Sequence, residues 1–182
     1  MKKLLALILF SSSLYADNPE DLPDFTAAFS LRSALSGDIL APDMEHPNWN
    51  LKQIMLDEEI RKSDPFDSFG LGAVQFVNTN NPKMCLGIDE SGLFALKSCE
   101  EDLQTRKLET IFTIIPTTTS AVQIRSFVLD KTECMSSFIN PRLPSGRGIG
   151  INPCSVDRLN WVNLKNLMLI LPAHLPAKLI EP

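Results

Sequence analysis

The chain has 182 residues, 44% of them hydrophobic, with 17 basic against 22 acidic side chains for a net charge of −5. That length supports one domain with a sizeable core. The acidic balance argues against tracking a nucleic-acid backbone or an anionic bilayer, which both call for a surplus of Lys and Arg.

Lys2 and Lys3 precede an apolar run from Leu4 to Phe10 and then Ser11-Ser12-Ser13-Leu14-Tyr15-Ala16. This is the tripartite pattern of a secretory signal peptide, with cleavage expected after Ala16. The run is too short for a bilayer span of about 20 residues. Its removal leaves 166 residues and takes away two lysines, so 15 basic face 22 acidic side chains and the net charge becomes −7. The next segment, 17–24, holds four acids and two prolines in eight residues and reads as an extended tail.

From residue 25 a unit of about 45 residues recurs. Phe29-Ser30-Leu31-Arg32-Ser33, Val74-Gln75-Phe76-Val77-Asn78 and Val122-Gln123-Ile124-Arg125-Ser126 alternate apolar and polar residues, 45 and then 48 residues apart. Each is followed by turn-rich chain and another apolar run. Three similar all-β units predict a threefold barrel, a β-trefoil, over 25–172. In the first unit Ser36-Gly37-Asp38 signals a hairpin turn, and Asp57 to Asp64 reads as a solvated connection able to form one helical turn. Closing strands are expected at Trp49–Leu56, Leu108–Ile115 and Trp161–Leu171, which places Trp49, Phe112 and Trp161 in corresponding core positions. The tail 173–182 carries two prolines, directly after Pro172, and reads as irregular.

The four cysteines, Cys85, Cys99, Cys134 and Cys154, allow three pairings. Cys85 with Cys99 and Cys134 with Cys154 is favoured, because each pair then brackets the same part of a repeat. Inside the first bracket, Cys85-Leu86-Gly87-Ile88 and Leu93-Phe94-Ala95-Leu96 flank Asp89-Glu90-Ser91-Gly92, a hairpin signature. A zinc site fails on spacing, since there is no Cys-x-x-Cys and His46 and His174 lie far from the cysteines. Gly146-Arg147-Gly148-Ile149-Gly150 has the look of a phosphate loop, but Pro153 stands where a helix should begin, so it reads as a tight loop entering a strand. No nucleophile elbow, catalytic triad or cofactor motif is found.

The pattern Cys-Leu-x-Ile, Gly-x-Phe, Cys, together with the Ala-Val-Gln strands, resembles the ricin-type lectin trefoil. More sharply, Lys107-Leu108-Glu109-Thr110-Ile111-Phe112 leading to Ile115-Pro116-Thr117-Thr118-Thr119-Ser120-Ala121-Val122-Gln123-Ile124-Arg125-Ser126 resembles the C component of the bacterial cytolethal distending toxins. Asp24-Phe25-Thr26, Asn48-Trp49-Asn50-Leu51-Lys52, Ala73-Val74-Gln75-Phe76 and Ala95-Leu96-Lys97-Ser98-Cys99 extend the likeness over the mature chain. The resemblance implies a secreted heterotrimer. Its lectin-like A and C components hold a glycan, lipid or protein receptor on the host cell, and its B component, a nuclease of the DNase I type, does the damage. This chain would then be non-catalytic, need no cofactor or metal, and bind no nucleic acid itself.

The ricin-type glutamine two residues before each closing aromatic is replaced by Pro47, Thr110 and Leu159, which argues against ordinary sugar binding there. Asp17, Glu20, Asp21 and Asp24, with Leu22 and Phe25 as apolar anchors, are candidates for contacting the basic surface of the nuclease component. A Kunitz-type trefoil inhibitor is the alternative, distinguished by trypsin inhibition through an exposed basic residue. A secreted hydrolase lacks a convincing base.

Overall fold

The computed structural model describes residues 26–43, 45–67, 70–89, 92–128, 131–141, 146–155 and 162–175. The expected leader 1–16, the expected acidic tail 17–24 with Phe25, Trp161 and residues 176–182 lie outside the described residues. Among the described residues ten strands follow one another, with two short α-helices and one 3-10 turn (Leu164–Asn166) between them. They are β1 (Phe29–Ser33), β2 (Asn48–Ile54), α1 (Glu58–Lys62), β3 (Ala73–Asn78), β4 (Met84–Ile88), β5 (Phe94–Ser98), α2 (Cys99–Thr105), β6 (Phe112–Pro116), β7 (Val122–Ser126), β8 (Glu133–Ile139), β9 (Arg147–Pro153) and β10 (Met168–Pro172).

Six of these close a barrel. β1 pairs with β2, β2 with β3, β3 with β6, β6 with β7, β7 with β10, and β10 returns to β1, all antiparallel. Closure leaves no free edge within that ring. β4–β5 and β8–β9 form two hairpins outside it. The first strands of the three units are β1, β3 and β7, as the repeated alternation predicts, and the closing strands are β2, β6 and β10. This is the β-trefoil.

The register reveals the threefold core. Ser33, Asn78 and Ser126 pair with Met168, Trp49 and Phe112, so these three large side chains are equivalent. Leu31, Phe76 and Ile124 form a second triad. Leu40, Leu86 and Met135 form a third, each one residue beyond the bridges Arg32↔Ile39, Val77↔Cys85 and Arg125↔Cys134. All nine are buried in one cluster. Burying side chains of this size is worth roughly 1.5–3 kcal/mol each. The indole N–H of Trp49 donates to the Leu40 carbonyl at 3.3 Å, which satisfies its one polar atom.

Two sequence expectations are corrected here. The third closing strand begins at Met168, so Met168 and not Trp161 completes the triad with Trp49 and Phe112. Pairing with β1 fixes that register, and an unbranched Met fills the site as well as a ring does. The second closing strand begins at Phe112 rather than Leu108. Leu108 takes a left-handed φ of 60°, and both carboxylate oxygens of buried Asp102 accept bonds from the Glu109 and Thr110 amides at 2.9 Å, ending the turn before the strand starts.

The cysteines pair as expected, Cys85 with Cys99 and Cys134 with Cys154. Ile39 stands at the position equivalent to Cys85 and Cys134. Only residues 34–47 separate β1 from β2, against 79–111 and 127–167 in the other units, so the first unit has a turn with Gly37 at a φ of 76° where the others have a bridged hairpin.

The Ala-Val-Gln motif has a role in this architecture. The Gln75 amide donates to the Cys99 carbonyl at 3.0 Å and to the Thr110 hydroxyl at 2.8 Å. Gln123 donates to the Ser155 carbonyl and accepts from the Ser155 amide, each at 3.0 Å. In both units a buried glutamine of the first strand ties down the far end of the hairpin.

Candidate binding surfaces

The connection from β2 to β3 is more than a solvated linker. α1 carries Glu58 and Glu59 in its first turn and Arg61 and Lys62 in its last, in accord with the helix dipole, and none of its residues is buried. Beyond it the chain turns inward. Arg125 of β7 is 1% exposed and clasps Asp64 through two bonds of 2.7 Å. Its guanidinium carbon lies 4.6 Å from the Phe66 ring centroid and 4.5 Å from that of Phe127. The Lys131 carbonyl at 3.0 Å and the Thr113 hydroxyl at 3.3 Å complete the cage. A planar guanidinium suits both the fork to a carboxylate and the stack between rings. The pair therefore fastens the first unit's exit to the third unit.

α2 is fastened in a similar way. Ser98 caps it by accepting from the Glu101 amide, Arg106 closes it in the left-handed conformation, and the same Arg106 reaches Asp57 at 2.6 Å. Lys97 and Glu109 form a half-buried ion pair at 2.7 Å across the entry to β6.

Two clefts of similar size open on this frame. One, about 520 Å³, lies between the two hairpins and is lined by Gly92 and Leu93 from one and by Phe138, Ile149, Gly150 and Ile151 from the other. Gly92 holds a φ of 79° in the hairpin turn, and a side-chain carbon on Gly150 would come within 3.0 Å of the Phe138 ring, so both glycines shape this cleft. Around it Leu93, Phe138, Ile139 and Leu164 are exposed, an apolar surface of the kind that marks interaction sites.

The second cleft, about 530 Å³, is lined by residues of three distant segments, among them Glu45, His46, Asn48, Asn80, His174 and Leu175. Both histidines of the chain meet there. The His174 amide donates to the Asn48 side chain at 2.6 Å, and the Asn48 amide returns a bond to the His174 carbonyl at 3.0 Å. Arg32 reaches His174 Nδ1 at 3.2 Å, and His46 Nδ1 meets Asp43 Oδ2 at 2.8 Å. Partial burial pushes the Asp43 carboxyl upward. Bonds from the His46 ring and from the His46 and Glu45 amides outweigh it and hold Asp43 below the ordinary value of 3.8. Sequence reading assigned the two histidines no partner, because they stand far apart in the chain and only closure of β10 on β1 brings them together.

Sequence comparison gives the setting for these surfaces. The family described as Cytolethal distending toxin A/C domain matches residues 28–182. The chain belongs to that family. Solved structures agree on the fold: the cytolethal distending toxin from Actinobacillus actinomycetemcomitans is similar at 22% identity with a TM-score of 0.61, and that from Haemophilus ducreyi at 21% with a TM-score of 0.60. Each match covers 92% of this chain and 99% of the other. No curated protein matches the chain.

The structure corrects one of the three positions expected two residues before the closing side chains, replacing Leu159 by Asn166. With Met168 as the third closing residue, the positions two residues earlier are Pro47, Thr110 and Asn166. Thr110 is bonded to Asp102 at 2.6 Å and the Asn166 amide to the Pro153 carbonyl at 2.8 Å, so both serve the fold. Among the described residues no group of three or more metal-ligating side chains is gathered. The expected partner-binding residues Asp17, Glu20, Asp21, Leu22, Asp24 and Phe25 lie outside the described residues.

Proposed function

We propose that this chain is the C component of a secreted three-part genotoxin: non-catalytic, holding the host cell surface together with the A component and helping to deliver a DNase I-like nuclease, the B component. The observation that carries the reading is the A/C-domain match over residues 28–182, joined to the run from Lys107 to Ser126 that resembles the C component. Export through the periplasm is supported by the leader pattern at 1–16 and by two disulfides, which persist in oxidising compartments.

The acidic segment serves the nuclease. A protein that grips DNA presents a basic surface, and Asp17, Glu20, Asp21 and Asp24 set four carboxylates on a proline-stiffened stretch too polar to fold alone. Leu22 and Phe25 anchor it beside the cleft of the nuclease.

Co-expression with candidate A and B components tests the reading. The chain is expected to co-purify with both and to show no nuclease activity alone with magnesium. Nuclease activity or cell damage from the isolated chain would overturn it. Deleting 17–24 is expected to weaken capture of the nuclease at low salt while the trefoil stays folded, with a deficit that shrinks as salt rises and screens the lost contacts. Unchanged affinity at low salt would refute the role given to this segment.

A further inference from the structure

We infer that the cleft between the two hairpins binds a small amphipathic anion, a single-chain carboxylic acid of the medium fatty-acid class. The inference does not rest on the function proposed above.

The walls supply an apolar bed. Leu93 of the β4–β5 hairpin and Phe138, Ile149 and Ile151 of the β8–β9 hairpin line a volume of about 520 Å³. That lies within the roughly 300–1,000 Å³ usual for small-molecule sites, which are mostly apolar with a few polar groups. Ile149 and Ile151 pack against the core, whereas Leu93 and Phe138 stay exposed. An aliphatic chain lying across them takes from water a surface that the fold itself leaves open.

Both walls are held in place before a ligand arrives. The Asp89 amide donates to the Leu93 carbonyl and the Leu93 amide to Asp89 Oδ1, each at 3.0 Å, which fixes the β4–β5 turn. A side-chain carbon on Gly92 would sit 3.5 Å from the Ile151 side chain, so the turn meets the opposite hairpin there. The Cys134–Cys154 disulfide closes the base of that hairpin. A preformed cleft spends little on ordering when it binds.

Charge selects the ligand. Among the described residues lining the cleft, Lys165 is the one that carries a charge, and none is acidic. Its main-chain amide donates to the Asn163 side chain at 3.0 Å, while its ammonium has no hydrogen-bond or ion-pair partner among the described residues. With 22 acidic against 17 basic side chains, the chain as a whole repels anions, and this cleft reverses that locally. Asn152, also in the lining, adds an amide donor. One ammonium beside four apolar side chains matches one carboxylate on an aliphatic chain. A dianion would keep an uncompensated charge there, and a neutral hydrocarbon would leave the ammonium unused.

The test uses the full mature chain with ¹³C-labelled Ile and Leu methyl groups at neutral pH. Octanoate, decanoate and dodecanoate are titrated below the concentrations at which they form micelles, with decanol, decylammonium and phosphatidylserine vesicles as controls. Decanoate is expected to move the Leu93, Ile149 and Ile151 methyl resonances along one saturable curve, with affinity rising about twofold to fourfold per methylene across the series. Decanol, which keeps the chain and lacks the charge, is expected to bind about tenfold more weakly. Lys165→Glu should reverse the preference from decanoate to decylammonium, and Leu93→Asn should weaken decanoate by about tenfold. Both side chains are exposed, so the thermal midpoint of each variant should stay near that of the parent. No saturable movement with decanoate, decanol binding as tightly, an unreversed charge preference in Lys165→Glu, or a response to the vesicles alone would overturn the inference.

Discussion

Asp64→Ala is the perturbation with the largest consequence for the least change in volume. In the native chain Arg125 spends two of its four hydrogen bonds on the Asp64 carboxylate, and the other two go to the neutral Lys131 carbonyl and Thr113 hydroxyl. Its Nε is already buried without a partner. Removing the carboxylate strands a positive charge that is 1% exposed between two phenyl rings. Breaking a buried pair from one side costs about 3–5 kcal/mol. Asp64 sits at the edge of the cage, 9% exposed, so water can approach the vacated oxygens and the lower end of that range applies. At about 2–4 °C per kcal/mol for a domain of this size, a loss of roughly 3 kcal/mol lowers the thermal midpoint by about 6–12 °C. The double variant Asp64→Ala with Arg125→Met is expected to recover most of this, because an uncharged Met fills the slot between Phe66 and Phe127. Thermal and urea unfolding followed by circular dichroism measure both. A single variant within about 0.5 kcal/mol of the parent, or a double variant no more stable than the single, would refute the account of a desolvated, compensated charge.

Three further outcomes are expected. Replacing either cysteine pair by alanine should cost about 3 kcal/mol in the chain-entropy model, and nearly the same for both, since the separations of 14 and 20 residues enter only logarithmically; urea unfolding of the two variants checks this. Trp49→Ala should destabilise by about 3–5 kcal/mol, whereas Met168→Leu at the threefold-related position, which keeps volume, should cost under about 1.5; the same assay compares them. The Asp43 carboxyl should titrate below 3.8 by carbon-detected NMR. Because its folded value is depressed, its stabilisation of the 43–46 turn is fully present above about pH 4 and is lost as pH falls through the folded value; a midpoint above 3.8 would contradict the bonding described.

What the sequence alone determined follows from interactions that are local or repeated. Phe29–Ser33, Val74–Asn78 and Val122–Ser126 show their strand identity by period-two alternation, and the turn Asp89–Gly92 between matched apolar runs foretells the β4–β5 hairpin. The cysteine pairing was legible because each bracket encloses one such hairpin. Membership in the distending toxin A/C family was also legible, in runs such as Lys107–Ser126 that no simple trefoil pattern requires.

What only the tertiary structure decided is register and charge pairing across the closed ring. Aromatic type suggested Trp161 as the partner of Trp49 and Phe112, but the first and last strands align through main-chain pairing of Ser33 with Met168, which side-chain chemistry near residue 161 cannot reveal. Arg125 reads in sequence as an ordinary polar position on an alternating strand. Its burial against Asp64, 61 residues earlier, exists because the β2–β3 connection folds back onto β7. His46 and His174 likewise look isolated until β10 closes on β1. Local periodicity and turn chemistry act within about ten residues of chain, whereas the Met168 register and the meeting of the two histidines depend on β10 closing on β1, and the Arg125–Asp64 pair on a connection folding across to a strand of another unit.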